Sequence, residues 1–153
     1  MPACSSAAAL YSFRGSDCYK YEWLKMNKVH NPRLEIKPAT RHDIKEFYGD
    51  KMRDTCRAWS AFYDGKLVCI GGVSITRNLM LVFMEMRTQS EVPKMTIWRG
   101  ALHVWKKIKA LDYPVMYAVA DPKLSTAPAF LERLGFEHIE SSARGEIYRW
   151  VIQ

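Results

Sequence analysis

The chain has 153 residues, 48% of them apolar, which is enough for one domain with a packed core and too apolar for global disorder. Lysine and arginine number 23 against 16 aspartates and glutamates, a formal charge of +7, so the chain suits anionic partners (a phosphorylated cofactor, an acidic protein surface or nucleic acid) unless the excess only solvates the surface. Cys4, Cys18, Cys56 and Cys69 form no C-x-x-C pair and have no histidine at ligand spacing, no basic n-region with an apolar h-region opens the chain, and no run reaches the ~18 apolar residues of a membrane span; the expectation is a cytoplasmic protein with reduced thiols, no metal and no membrane partner.

Residues 1–33 read as a loop-rich N-terminal extension. Residues 1–9 are small and polar, and a chain end of that kind frays. Tyr11, Phe13, Tyr19, Tyr21 and Trp23 then follow within a short span. They pack either on the domain or on another chain. Tyr19-Lys20-Tyr21, with Arg14 and Lys25 nearby, interleaves basic and aromatic residues as single-strand binders do. The pattern does not recur, so nucleic acid is not the expected partner.

Residues 34–153 carry readable elements. Leu34-Glu35-Ile36-Lys37 alternates as a half-buried strand, and Pro38 ends it. Thr40 and Asp43 have the spacing of a capping box, Ile44, Phe47 and Tyr48 follow at helical steps, and Gly49 closes a short helix. Residues 50–54 extend it or form a second short helix. Residues 55–63 are rich in β-formers, Asp64-Gly65 is a two-residue hairpin signal, and residues 66–70 return as the partner strand. Gly71-Gly72 marks a bulge or a close backbone approach. Arg77-Asn78 makes another turn into residues 79–86, a near-continuous apolar run suited to a strand covered on both faces.

Residues 93–111 are the clearest helix, with Ile97, Ala101, Leu102, Trp105, Ile108 and Leu111 at three- and four-residue steps. Ile97, Leu102 and Trp105 are expected to be buried against the sheet. Lys106, Lys107 and Lys109 suit the negative end of its dipole. After the turn Asp112-Tyr113-Pro114, residues 115–120 form a strand beside residues 79–86. Residues 128–134 form a short helix stopped by Gly135, and residues 137–141 and 145–152 an antiparallel pair. The fold class is α+β or mixed α/β, a central mixed sheet flanked by helices in the order β-α-β-β-β-α-β-α-β-β.

That order resembles the GNAT N-acetyltransferases, with one of their two early helices short or missing. Ile36-Lys37-Pro38-Ala39-Thr40 with Asp43-Ile44 is similar to the family's opening I-R-x-A-x-x-x-D. Ala129-Phe130-Leu131-Glu132-Arg133-Leu134-Gly135-Phe136-Glu137 is similar to its late motif A-x-x-L-Y-x-K-x-G-F. The resemblance covers residues 34–153 and leaves out residues 1–33.

The resemblance implies acetyl-CoA as cofactor and an amine as acceptor. The cofactor pyrophosphate would rest on backbone amides at the start of the central helix, and the pantetheine arm between residues 79–86 and 115–120. Carried onto this sequence, Met86, Arg87, Lys94, Met95 and Thr96 become the cofactor-binding residues. Glu85, the one carboxylate of the fourth strand, becomes the base that takes the amine proton. A salt bridge to Arg57 or Arg87 would also account for Glu85. No G-x-S-x-G or H-E-x-x-H occurs, and His30, His42, His103 and His138 are scattered.

Two departures stand against that implication. Residues 87–96 contain no glycine where the family has R/Q-x-x-G-x-G/A, Pro93 removes an amide, and Glu91 adds a negative charge. Leu131 stands at the position of the late-motif Tyr that often serves as acid, leaving Tyr113, Tyr117 or a water for that role. These departures and the aromatic extension suit an alternative: a catalytically inactive GNAT-fold protein that works by binding a protein partner. In that alternative the chain is similar to small GNAT-like proteins of tailed bacteriophages, some of them virion-associated.

Overall fold

The structure, a computed structural model, describes residues 33–49, 55–87 and 92–153. The aromatic cluster of the extension and residues 50–54 lie outside the described residues. The elements are β1 (Leu34–Pro38), α1 (Arg41–Tyr48), β2 (Thr55–Tyr63), β3 (Lys66–Thr76), β4 (Leu79–Met86), α2 (Lys94–Lys109), β5 (Val115–Ala120), α3 (Ala127–Arg133), β6 (Glu137–Ser142) and β7 (Gly145–Val151). This is the order read from the sequence, with helix ends shifted by one or two residues. The strands form one mixed sheet in the spatial order β1-β2-β3-β4-β5-β7-β6. All neighbours are antiparallel except β4 and β5, which run parallel.

Turn chemistry fixes the register of β2, β3 and β4. Asp64 and Gly65 have φ of 50° and 77°, and Arg77 and Asn78 have φ of 48° and 65°. Positive φ at both central residues is the geometry whose twist matches a two-residue hairpin. The ladder between β3 and β4 then runs without a shift from Cys69↔Met86 to Thr76↔Leu79. Of the two expectations for Gly71-Gly72, the close approach holds and the bulge does not. A Cβ on Gly72 would lie 2.1 Å from the Arg57 carbonyl oxygen, and the register shift of the β2–β3 ladder falls earlier in β3, where Val68 is the extra residue opposite Ala61 and Phe62.

The helices divide between the two faces of the sheet. α1 starts with the expected capping box: the Asp43 amide donates to Thr40 Oγ1 at 3.1 Å, and the Thr40 amide donates to Asp43 Oδ2 at 2.9 Å. The same carboxylate accepts from Ser60 Oγ of β2 at 3.0 Å, which pins α1 to the sheet. α2 lies on the opposite face, with Gly100 against the side chains of Ile36 and Leu34. α3 shares that face, with Trp98 edge-on to Phe130 at 5.3 Å.

The main core is on the α2 side. Trp105 packs on Phe136 and Trp150 with ring centroids 5.0 and 5.4 Å away, and its Nε1–H donates to the Leu134 carbonyl at 3.1 Å. Ile108, Met116, Ala118, Ala120 and Tyr148 complete the buried group. Two burial expectations need correction. Leu102 faces water at 41% exposure and Ile97 is half-buried. At 3.6 residues per turn Leu102 lies about 60° beyond Trp105, on the flank opposite Ile108. Nor is β4 covered on both faces, since Met84 and Glu85 are exposed.

Candidate functional site

β4 and β5 share one register pair, Leu81↔Tyr117. Beyond it, toward the C-terminal ends of both strands, the facing main-chain edges have no partner in each other. The unpaired edges are flanked by apolar side chains that face water: Met84 at 38% and Val119 at 46% exposure. A buried unpaired edge would be costly, so an opening of this kind suits an extended, amide-bearing occupant.

Glu85 stands on β4 beside this opening. It lies opposite Ile70 of β3, which lies opposite Ser60 of β2, so it shares the face that α1 covers. Its carboxylate is exposed, and among the described residues neither Arg57 nor Arg87 pairs with it. Arg57 belongs to the other face, opposite Val73. Arg87 turns to α1 instead. Its Nη1 donates to Glu46 Oε1 at 3.2 Å, its Nη2 donates to the Glu46 carbonyl, and its guanidinium carbon sits 4.8 Å over the Phe47 ring.

The residue that sequence reasoning missed is Tyr48, the last of α1. Its hydroxyl is buried and forms no hydrogen bond among the described residues. Burial, and after it the Glu85 carboxylate, hold it well above the ordinary tyrosine range. A phenol pushed that way is a poorer acid than a free one, so it suits a hydrogen-bond donor to Glu85 better than a proton donor to a departing thiolate. The same causes, in the same order, push the Cys69 thiol up to about 12, which keeps it protonated and inert as a nucleophile. No sequence signal pointed to Tyr48, because its meeting with Glu85 depends on where α1 docks.

The remaining predicted cofactor residues stand at the start of α2. Pro93 is the N-cap, with no side-chain cap, and no acidic residue occupies the first turn. Lys94 and Met95 are exposed and Thr96 is half-buried. The Thr96 amide already donates to the Pro93 carbonyl at 2.9 Å. The amides of Lys94 and Met95 have no intrahelical acceptor, as expected at a helix start. Met86 pairs with Cys69 at the end of β4. Leu131 packs against the core, as a leucine should, and supplies no acid.

Other polar groups do not assemble a reaction centre. His138 Nε2 and Ser141 Oγ lie 2.5 and 2.7 Å from the same Glu146 oxygen, so both are spent on one carboxylate and no serine-to-histidine relay forms. His103 on α2 is half-buried, and its pKa is held below the ordinary value by burial and then by Lys107 and Lys106. An open groove of about 450 Å³ between α1 and the β2–β3 hairpin, lined by Glu46, Phe62, Lys66 and Arg87 among others, lies outside the β4–β5 opening. Among the described residues no group of His, Cys, Asp and Glu could hold a metal, and no helix is long and apolar enough to cross a membrane.

A parallel pair that opens beside a central helix can be compared with known folds. No protein-family model matches the chain, and no curated protein matches its sequence. Solved structures do match. An acetyltransferase of the GNAT family from Staphylococcus aureus Mu50 superposes with a TM-score of 0.57 at 14% identity, over 78% of this chain and 99% of its own. The Campylobacter jejuni N-acetyltransferase PseH gives 0.54 at 8% identity, over 80% of this chain and all of its own (100%).

This chain has the GNAT fold.

The aminoglycoside acetyltransferase AAC(6')-Ib, solved with coenzyme A and kanamycin, also matches, with a TM-score of 0.58 at 9% identity over 77% of this chain and 94% of its own. A likeness at such low identity establishes architecture, while chemistry rests on the residues present. The opening between β4 and β5 and the uncapped start of α2 leave main-chain groups open to an extended, anionic ligand. The engagement of Arg87 by Glu46 subtracts one cation from that site.

Proposed function

We propose that this chain is an N-acetyltransferase that takes its acetyl group from acetyl-CoA and passes it to an amine. The observation that carries this reading is the β4–β5 joint, a parallel pair with one register pair and apolar flanks. Met84 and Val119 would flank the pantetheine arm. The free amides of Lys94 and Met95, the Lys94 ammonium and the helix dipole would hold the pyrophosphate. Met86 and Thr96 border that position. The cofactor supplies a thioester-activated acetyl group.

Glu85 takes the amine proton. Its exposure gives the acceptor access from the α1 face, and the Tyr48 hydroxyl, buried and without a hydrogen bond among the described residues, would orient the carboxylate by donating to it once the acceptor is bound. Tyr117, which stands at the β4–β5 joint, Tyr113 or a water would return the proton to the departing thiolate.

Titration of acetyl-CoA by calorimetry tests the reading. Saturable binding at or below millimolar concentration is expected. Absence of binding at millimolar acetyl-CoA would overturn it. The alternative is then a catalytically inactive protein that binds a protein partner. The Arg87–Glu46 pair favours that alternative, since it ties down one of the two cations expected to hold the pyrophosphate.

A further inference from the structure

The α1 face of the sheet is covered on one half only. α1 sits over β2 and β3 and reaches Glu85 through Tyr48. α2 and α3 are on the other side. Register places Leu81 and Phe83 of β4, Val115, Tyr117 and Val119 of β5, and Ile147, Arg149 and Val151 of β7 on the α1 face. None of their hydrophobic side chains belongs to the core on the α2 side. Among the described residues no helix lies over them. Val119 and Val151 are 46% and 45% exposed, and the buried Nε of Arg149 finds no hydrogen-bond acceptor. A sheet face of three apolar strands needs a cover.

We propose that the cover is this chain's own N-terminal segment, with Tyr19, Tyr21 and Trp23 laid across β5 and β7. Composition supplies the first argument. The 32 residues before Arg33 hold five aromatics between residues 11 and 23, and Tyr19-Lys20-Tyr21-Glu22-Trp23 alternates aromatic with charged, so one side of an extended segment is wholly aromatic. Position supplies the second. The Arg33 carbonyl accepts from the Asp64 amide at the β2–β3 hairpin, the same end of the sheet at which β4 and β5 part. From β1 to β5 is four strand spacings, about 19 Å. Residues 24–32 extended span up to about 30 Å. The covering strip leaves Glu85 open between itself and α1.

Hydrogen exchange on the full chain tests this. Amides 19–24 should be protected at least tenfold over the free-peptide rate, equally at low and high protein concentration. Val119→Asp should remove that protection while β2 and β3 keep theirs. Free-peptide exchange of amides 19–24 would overturn the proposal. So would protection that grows with concentration, which would make a second copy the occupant. Protection unchanged by Val119→Asp would place the segment elsewhere and overturn it too. Should Val119→Asp unfold the domain, Val119→Cys carries the test by peptide-resolved thiol labelling. Adding Trp23→Ser should speed labelling at position 119 at least fivefold, and equal rates with and without Trp23 would overturn the proposal.

Discussion

The two joints made by β4 differ in kind. With β3 it shares eight register pairs across a tight hairpin; with β5 it shares one. The helices following the two halves differ in the same sense. α1 begins with a full capping box whose carboxylate also anchors β2, while α2 begins at a proline with no side-chain cap, no acid and a lysine at its first position. The sequence thus closes the main-chain groups at the α1 start and the β3–β4 joint and leaves those at the α2 start and the β4–β5 joint open. Groups left open in a folded chain are where a ligand can supply what the protein withholds.

If the first half is closed by close packing, crowding it should be costly. A Cβ at Gly72 would meet the Arg57 carbonyl oxygen at 2.1 Å and the Ala58 Cα at 2.7 Å, both backbone atoms that cannot step aside. Gly72→Ala should therefore destabilise by about 3 kcal/mol or more, read as a fall in the urea midpoint at constant m-value. Gly100 in α2 is the counterpart. Its Cβ would meet only the flexible ends of Ile36 and Leu34 at 3.4 and 3.6 Å. Gly100→Ala should be neutral or stabilise by up to about 1 kcal/mol through helix propensity. Equal losses at the two sites would break the contrast.

If the second half is open for an anion, its charge should matter for binding and not for folding. Lys94→Glu should weaken acetyl-CoA at least about tenfold, about 1.4 kcal/mol, and more at low salt. Stability should hold or rise slightly, since an acidic first turn suits the helix dipole. Pro93→Asp sharpens the comparison by giving α2 the cap that α1 has. It should stabilise by about 0.5–1 kcal/mol and compete with the phosphates for the same amides. Thr40→Ala, removing the α1 cap, should cost about 1 kcal/mol and leave acetyl-CoA affinity unchanged. Loss of affinity in Thr40→Ala would show that the halves are coupled.

The fold was legible because its signals are local. The capping box at Thr40 and Asp43, the two-residue turns at Asp64-Gly65 and Arg77-Asn78, and the period of residues 97–108 each act within a few residues, and each formed. What failed depends on distance. The exposure of Leu102 follows from where α2 sits on the sheet, and that of Met84 and Glu85 from β5 diverging and from the reach of α1. The site was half legible. Glu85 and the start of α2 stand out by residue type, whereas the commitment of Arg87 to Glu46, 41 positions away, and the burial of Tyr48 beside Glu85 are written only in tertiary packing.

The smallest expected effect concerns pH, and it isolates the closed half. Hydrogen bonding from the Thr40 backbone amide, with Ser60 also donating, holds the Asp43 carboxyl below the usual range, against the opposing pull of burial. A folded pKa below the unfolded one means that the unfolded chain binds the proton more readily. The stabilisation is then fully present above the unfolded value, about 4, and is lost as pH falls through the folded value. Between pH 6 and 8 the α1 anchor should contribute a constant amount, and acid should release it. Asp43→Asn should lower stability at pH 7 and flatten the decline below pH 4, because the amide has no proton to gain. Glu146 shifts in the same direction, through Ser141 and His138, but it lies on the exposed β6–β7 hairpin, where water screens the gain. Glu146→Gln should therefore flatten the acid limb much less than Asp43→Asn. Denaturation midpoints from pH 2.5 to 7 separate the two carboxylates. An acid limb unchanged by Asp43→Asn would mean that the capping box does not anchor α1, and the contrast between the closed and open helix starts would fail with it.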